Sequence, residues 1–134
     1  MGRNLVSRKR GTLKKLIREV RREVATSVEA SSDRIVDRQR SAVPVDTGTL
    51  RNTIDRTPVS QNGADISSTI TAGGSQTTKR DANGGEYDYG VETEFGGIEQ
   101  AAQPFFYASA RAEEKETTAS VAKAMKRAAK RAAR

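Results

Sequence analysis

Pro44 constrains this chain more than any other residue. The residues before it read as one long basic helix, and those after it read as strand and loop. The residue before a proline is pushed out of the helical region, so the helix must stop at Val43. Asp46-Thr47-Gly48 comes next as a turn. Asp is suited to accept from nearby backbone N–H groups, and Gly to take a positive φ. The segment Val43–Ile54 is therefore the expected joint between a helical and a strand-bearing part. A β-branched residue is strained at positive φ, so Gly48→Val is expected to misfold the chain.

The helix shows in the periodicity. Leu13, Leu16, Ile17, Val20, Val24 and Val28 recur at spacings of three and four, with Lys14, Lys15, Arg18, Arg21 and Arg22 mostly off the stripe. The pattern thins at Ser31-Ser32 and resumes at Ile35 and Val36. It predicts one helix over about 12–41, with the serines as the place for a bend, after a flexible basic segment 1–11. Beyond the turn, Leu50 and Ile54 enter a short extended or helical segment ending near Pro58, assigned as strand 50–58. Gln61-Asn62-Gly63 is a hairpin turn. Ile66, Ser68, Ile70 and Ala72 alternate with Ser67, Thr69 and Thr71 and predict strand 64–72. Residues 73–86 carry four glycines and no large apolar residue, and read as a long mobile loop. Tyr87, Tyr89, Val91, Thr93 and Phe95 alternate with Asp88, Gly90, Glu92 and Glu94, which predicts strand 87–95. Pro104 suits the first turn of a last helix over about 105–131, alanine-rich and increasingly basic, before a basic tail 132–134. The expected class is α+β: a long N-terminal helix, a small antiparallel sheet with a long glycine-rich loop, and a C-terminal helix.

Composition narrows the chemistry. The 134 residues read as one domain spanning 12–131, and 34% are apolar, with three Phe, three Tyr and no Trp. So thin a core is expected to complete its burial against copies of itself. There is no Cys and no His, which excludes triads built on either and removes the commonest metal ligand and general base. No apolar run approaches a membrane span, and no apolar stretch succeeds the basic N-terminus as in a signal peptide, so the default compartment is cytoplasmic.

Charge divides the chain. Residues 1–22 hold nine Lys/Arg against one acid, residues 44–106 nine acids against four bases, and residues 107–134 eight bases against three acids. An acidic middle between basic ends suits contacts between neighbouring copies. Asp88, Glu92 and Glu94 would share one strand face. Paired carboxylates can serve acid–base chemistry, but alternate acids on a strand usually form a solvated or salt-bridged face. An interface with the basic residues Arg18, Arg21 and Arg22 of another copy is the better reading. Lys123, Lys126, Arg127, Lys130 and Arg131 could face DNA. No aromatics are interleaved, so that contact would be electrostatic and sequence-independent, and a solvated face is an equal alternative. The glycine loop lacks the strand–GxxxxGK[ST]–helix context of a phosphate-binding loop.

Three segments together carry a resemblance: Val43-Pro44-Val45-Asp46-Thr47-Gly48-Thr49-Leu50-Arg51-Asn52-Thr53-Ile54, then Tyr89-Gly90-Val91-Glu92-Thr93-Glu94-Phe95-Gly96-Gly97, then Gln103-Pro104-Phe105-Phe106. In this order they resemble the gene-product-ten-like family of Hong Kong 97-type tailed phages, whose pattern also occurs in gene transfer agents. The chain departs from it at Val43, Gly90, Thr93, Gly97 and Ala108, and the likeness spans about 12–115. The resemblance implies no enzyme activity and no cofactor. It implies a structural virion subunit of the head–tail connector: a ring, expected to be a hexamer, that completes the tail, joins head to tail and lets DNA pass. Its partners would be copies of itself, adjacent neck or tail-tube proteins and, transiently, DNA, with no membrane. It would be assembled in the host bacterial cytoplasm. Asp46, Thr47 and Gly48 would fix the joint between the first helix and the sheet, and Glu94, Phe95 and Gly96 the end of the central strand; Leu50, Arg51, Tyr89, Pro104 and Phe105 complete the structural motif. The competing reading is a sequence-independent DNA-binding protein using its basic termini; an enzyme built on the acidic face comes third.

Overall fold

Helix α1 runs unbroken over Gly2–Ala42 in the computed structural model, which describes residues 2–98 and 100–133. It starts well before the predicted position 12, because Arg, Lys and Val between Gly2 and Gly11 continue a pattern of adequate helix formers. Residues 2–11 are thus helix, not a flexible lead. The helix continues through the serines: Ser32 donates to the Val28 carbonyl at 2.8 Å, and Ser27 and Ser31 are buried. α1 stops where Pro44 requires, with Val43 N–H closing on Gln39 O at 2.9 Å.

The strand region is α+β in character, but its elements differ from the pattern. Residues Thr49–Thr53 form a short helix, α2, where strand 50–58 was expected; only Asp55–Arg56, β1, is extended. Then come β2 (Ser60–Asn62), β3 (Asp65–Ser67) and β4 (Ile70–Thr71). The predicted strand 64–72 is therefore split in two. β2 pairs antiparallel with β3 around Gly63-Ala64, and β1 pairs antiparallel with β4. The ladder breaks at Pro58, which has no N–H to give. Thr57 bridges the break, donating to Thr69 O and accepting from Thr69 N–H on its hydroxyl, both at 2.9 Å.

The glycine-rich segment is a built hairpin rather than a mobile loop. A 3-10 turn (Ser75–Thr77) leads into β5 (Thr78–Arg80), which pairs antiparallel with β6 (Glu86–Asp88). Its tip is closed by Asp81, whose carboxylate accepts from Asn83 and Gly85 N–H groups.

The largest correction comes directly after β6. Tyr89–Phe95 is a helix, α3, not a strand. Asp88 caps it, accepting from Gly90 N–H at 2.8 Å, and Gly96 ends it at φ 83°. Two short-range templates collide here: Tyr89/Thr93 and Val91/Phe95 are i,i+4 pairs on a helix as well as alternate residues on a strand. Aspartate before the run and glycine after it are helix-boundary signals. The last helical region is two helices, α4 (Tyr107–Ala112) and α5 (Glu114–Ala132), broken at Glu113.

α5 packs along α1, with Ala124, Ala128 and Ala132 buried at i,i+4 spacing. Ion pairs fix the antiparallel register. Glu113 meets Arg38 at 2.9 Å and Arg34 at 3.4 Å, while Glu23 meets Arg127 at 3.6 Å and also Arg131. The core lies at the C-terminal end of α1, where Val36, Val43, Leu50, Ile54 and Phe105 cluster under Ile70, Ala72, Tyr89 and Phe106. No helix among the described residues is long and apolar enough to cross a membrane.

Candidate functional site: the junction of three motif segments

The three segments singled out in the sequence converge at this core. Leu50, on α2, lies so close to α3 that a Cβ on Gly90 would stand 2.9 Å from its Cδ1. Phe105, from the third segment, is 2% exposed in the same cluster. Between the first turn and α3 runs a cleft of about 440 Å³ lined by Asp46, Thr47, Gly48, Tyr89, Glu92 and Gln103, among others.

Glu94 is the hub. It is 7% exposed, and its carboxylate accepts the backbone N–H groups of Phe105 (2.8 Å), Phe106 (2.9 Å) and Tyr107 (3.2 Å). The start of α4 offers N–H groups with no partner in its own helix, and Glu94 fills that need from a distant element. Pro104, exposed in the preceding connector, has no N–H and so adds none to the set. Burial alone would raise the Glu94 carboxyl. The N–H groups of Phe106, Phe105 and Tyr107, with the charge of Arg111, outweigh it and hold it below the ordinary carboxylate range.

Asp88 does the same work at the other end of α3. It accepts from Gly74 N–H (2.9 Å), the Thr77 hydroxyl (2.7 Å) and Gly90 N–H, pinning the β5–β6 hairpin to α3. Burial would raise its carboxyl, but these three bonds bring it below its usual value. The expected acidic face is therefore not a face. Asp88 and Glu94 are inward-turned structural acids at opposite ends of a helix, and Glu92 lines the cleft beside the 44–50 turn.

Of the other predicted residues, Gly48 has φ 84° and precedes α2 without a side-chain cap; the nearest is Thr47, whose hydroxyl takes Thr49 N–H at 3.4 Å. Among the described residues Asp46 makes no such bond, because its carboxylate is in solvent. Arg51 is exposed on α2. Arg18, Arg21 and Arg22 are exposed on α1 beside the β2–β3 hairpin, and Arg22 pairs within its own helix with Glu19 at 2.6 Å. Lys123, Lys126 and Lys130 are exposed on α5, whereas Arg127 and Arg131 are drawn to Glu23 and are not simply a DNA-facing row. Met1 and Arg134 lie outside the described residues.

Sequence reasoning missed several residues that hold the junction. Gln39, 1% exposed, donates to Phe106 O at 3.1 Å. Arg40 donates twice to Ile54 O, at 3.1 and 2.7 Å. Thr77 is fully buried against Asp88. Glu113 clamps α1, and its carboxyl is lowered first by the Arg38 hydrogen bond. Their partners lie far away in sequence, so no local pattern marks them.

Two glycines separate strain from crowding. A Cβ on Gly48 would meet nothing within 4 Å, so Gly48→Ala carries backbone strain alone, about 1–3 kcal/mol, whereas the β-branched Gly48→Val adds its γ carbons at the same positive φ and is still expected to misfold the chain. At Gly96 both costs are larger: φ 83°, ψ 164° is a region essentially only glycine adopts, and a Cβ would stand 3.0 Å from Ala102 N. Thermal unfolding should therefore show Gly96→Ala losing more stability than Gly48→Ala; equal losses would refute this added cost at 96.

Among the described residues no group of three or more Asp or Glu is placed to hold a metal ion. No curated protein and no solved structure matches the chain. Residues 10–109 match the family described as "Bacteriophage HK97-gp10, putative tail-component", a span that takes in all three motif segments. The chain belongs to this family of phage tail components, structural proteins and not enzymes.

Proposed function

We propose that the protein is a ring-forming subunit, expected as a hexamer, that completes the tail at the head–tail junction and lets DNA pass. One observation carries the reading. The family's motif segments build a rigid junction whose outer side is apolar and open: Val91, Phe95 and Tyr107 are each more than half exposed. Contiguous exposed apolar patches mark interaction surfaces, protein–protein contacts among them. A patch of this kind that meets a different surface of the next copy makes a heterologous contact, which builds a ring where the rotation between copies closes. The ring would be assembled in the host cytoplasm against neighbouring neck or tail-tube proteins.

The test is genetic and visual. Removing the protein from a producing phage should leave DNA-filled heads and separate tails in negative stain, and restoring it should rejoin them. Joined particles in its absence would refute the role. A salt titration against duplex DNA addresses the competing reading: tight binding near physiological salt with a steep salt slope would favour DNA binding.

A further inference from the structure

α1 is longer than anything that covers it. α5 ends at Ala132, level with Glu23, where Arg131 closes the last ion pair. The β2–β3 hairpin reaches no further than Arg18 along another side of α1. Residues 2–17 therefore project as an arm of about 24 Å, at 1.5 Å per residue. The arm carries six Lys/Arg and no acid. Its cations differ from the arginines of α5. Glu23 takes Arg127 and Arg131, whereas among the described residues Arg8, Lys9, Arg10, Lys14 and Lys15 are exposed and form no ion pair.

At 3.6 residues per turn these cations fall into rows. Arg10 and Lys14 form one row. Arg8 and Lys15 form a second, about 130° round the helix from the first. Arg18, at the base of the arm, lies between the rows, and Lys9 stands on the far side. A helix is about 10–12 Å across and the major groove of B-form DNA about 12 Å wide, so a helix seated there presents two such rows to the phosphates of the two walls. We propose that the arm lies in the major groove of duplex DNA and holds it by its phosphates, without reading sequence. This rests on the ring reading, in which DNA passes the subunit, and names the element that touches it. A lipid surface is a poorer match. Interfacial helices bury a face rich in Trp, Phe or Leu, and the arm has no aromatic residue and shows Val6, Leu13 and Ile17 half-exposed off both rows. Single apolar residues so exposed are ordinary on a protein surface. An acidic protein is a poorer match too, because protein surfaces intersperse both signs. A duplex carries one negative charge per about 1.7 Å and no positive one, which suits an arm with no acid.

The experiment titrates a mixed-sequence DNA duplex with the full-length chain at several salt concentrations. Phosphate contacts from Arg8, Arg10, Lys14, Lys15 and Arg18 should give log K against log salt a slope of about −4.5, a fall of about 500-fold between 50 and 200 mM. Near physiological salt the Kd should lie in the non-specific range, about 1–100 μM, weaker than the competing reading requires. Arg10→Gln with Lys14→Gln, and separately Arg8→Gln with Lys15→Gln, should each make the slope shallower by about 2. Lys9→Gln, and on α5 Lys123→Gln with Lys126→Gln, should leave it near that of the wild type. Circular dichroism should not change, because all these side chains are exposed and Gln is a good helix former. No binding by the wild type, or an unchanged slope in both row variants, overturns the arm contact. A change in one row alone, or the same change per charge removed in all four variants, overturns the seating in the groove. Wild-type binding to phosphatidylserine vesicles or to polyglutamate as tight as to the duplex overturns the choice of DNA. Each of these failures leaves the ring standing, since none measures assembly. Joined particles formed without the protein refute the ring and leave the slope as measured.

Discussion

Glu94→Ala should lower folding stability by about 3 kcal/mol, read as a fall in the urea midpoint with little change in slope. Three backbone N–H groups now satisfied by one carboxylate would lose their acceptor. Each buried donor left unpaired costs about 1–3 kcal/mol, and water can reach the exposed Tyr107 end to relieve part of it. That is a large share of the roughly 5–15 kcal/mol of a typical domain. Glu94→Gln keeps an acceptor oxygen and should lose less. A Glu94→Ala variant as stable as wild type would show that α4 does not depend on this cap. Acid should act through the same group. The folded carboxyl sits below its ordinary value, so its contribution is fully present above the unfolded pKa and is lost as pH falls through the folded one. Asp88 has the same sign. Stability should therefore drop as pH falls below the ordinary carboxylate range, and drop less steeply in Glu94→Gln.

Phe105→Ala should cost about 3–5 kcal/mol, the range for emptying a buried aromatic site. Phe105 is 2% exposed among Val36, Val43, Leu50 and Ile54, residues drawn from α1, the turn and α2. Its loss leaves a hole where all three motif segments meet. Because Glu94 holds the Phe105 N–H while Leu50 and Ile54 hold the ring, the two substitutions share one joint. The double variant should lose less than the separate losses added together. Strict additivity would mean that the cap and the core act independently.

The joint explains why the family likeness falls on these segments. Pro44 and Gly48 can be read locally, since a missing N–H and a positive φ are properties of single residues. Helix α1 is equally local, written in the spacing of its valines and leucines. The same local reading gave the wrong element for Tyr89–Phe95. Over seven residues a period of two and a period of 3.6 share their main positions, and only the cap at Asp88 and the stop at Gly96 tell them apart. It also read Asp88 and Glu94 as surface charge. Charged residues are seldom buried, and what makes it possible here is a set of N–H donors supplied by residues 11 to 13 positions further on for Glu94, and by Gly74 for Asp88.

The long basic helix, its stop at Pro44, the turn at Gly48, the absence of His and Cys chemistry and the ordered motif trio are all written in the chain itself. They depend on backbone sterics and on which atoms a side chain carries. Packing in three dimensions settled what the acids do, that the glycine-rich segment is a hairpin, that Arg127 and Arg131 turn to Glu23, and that α1 outruns its cover. The hairpin closes within eleven residues, but its hold on α3 through Asp88, like the other outcomes, depends on where backbone donors and charges come to rest after the chain packs.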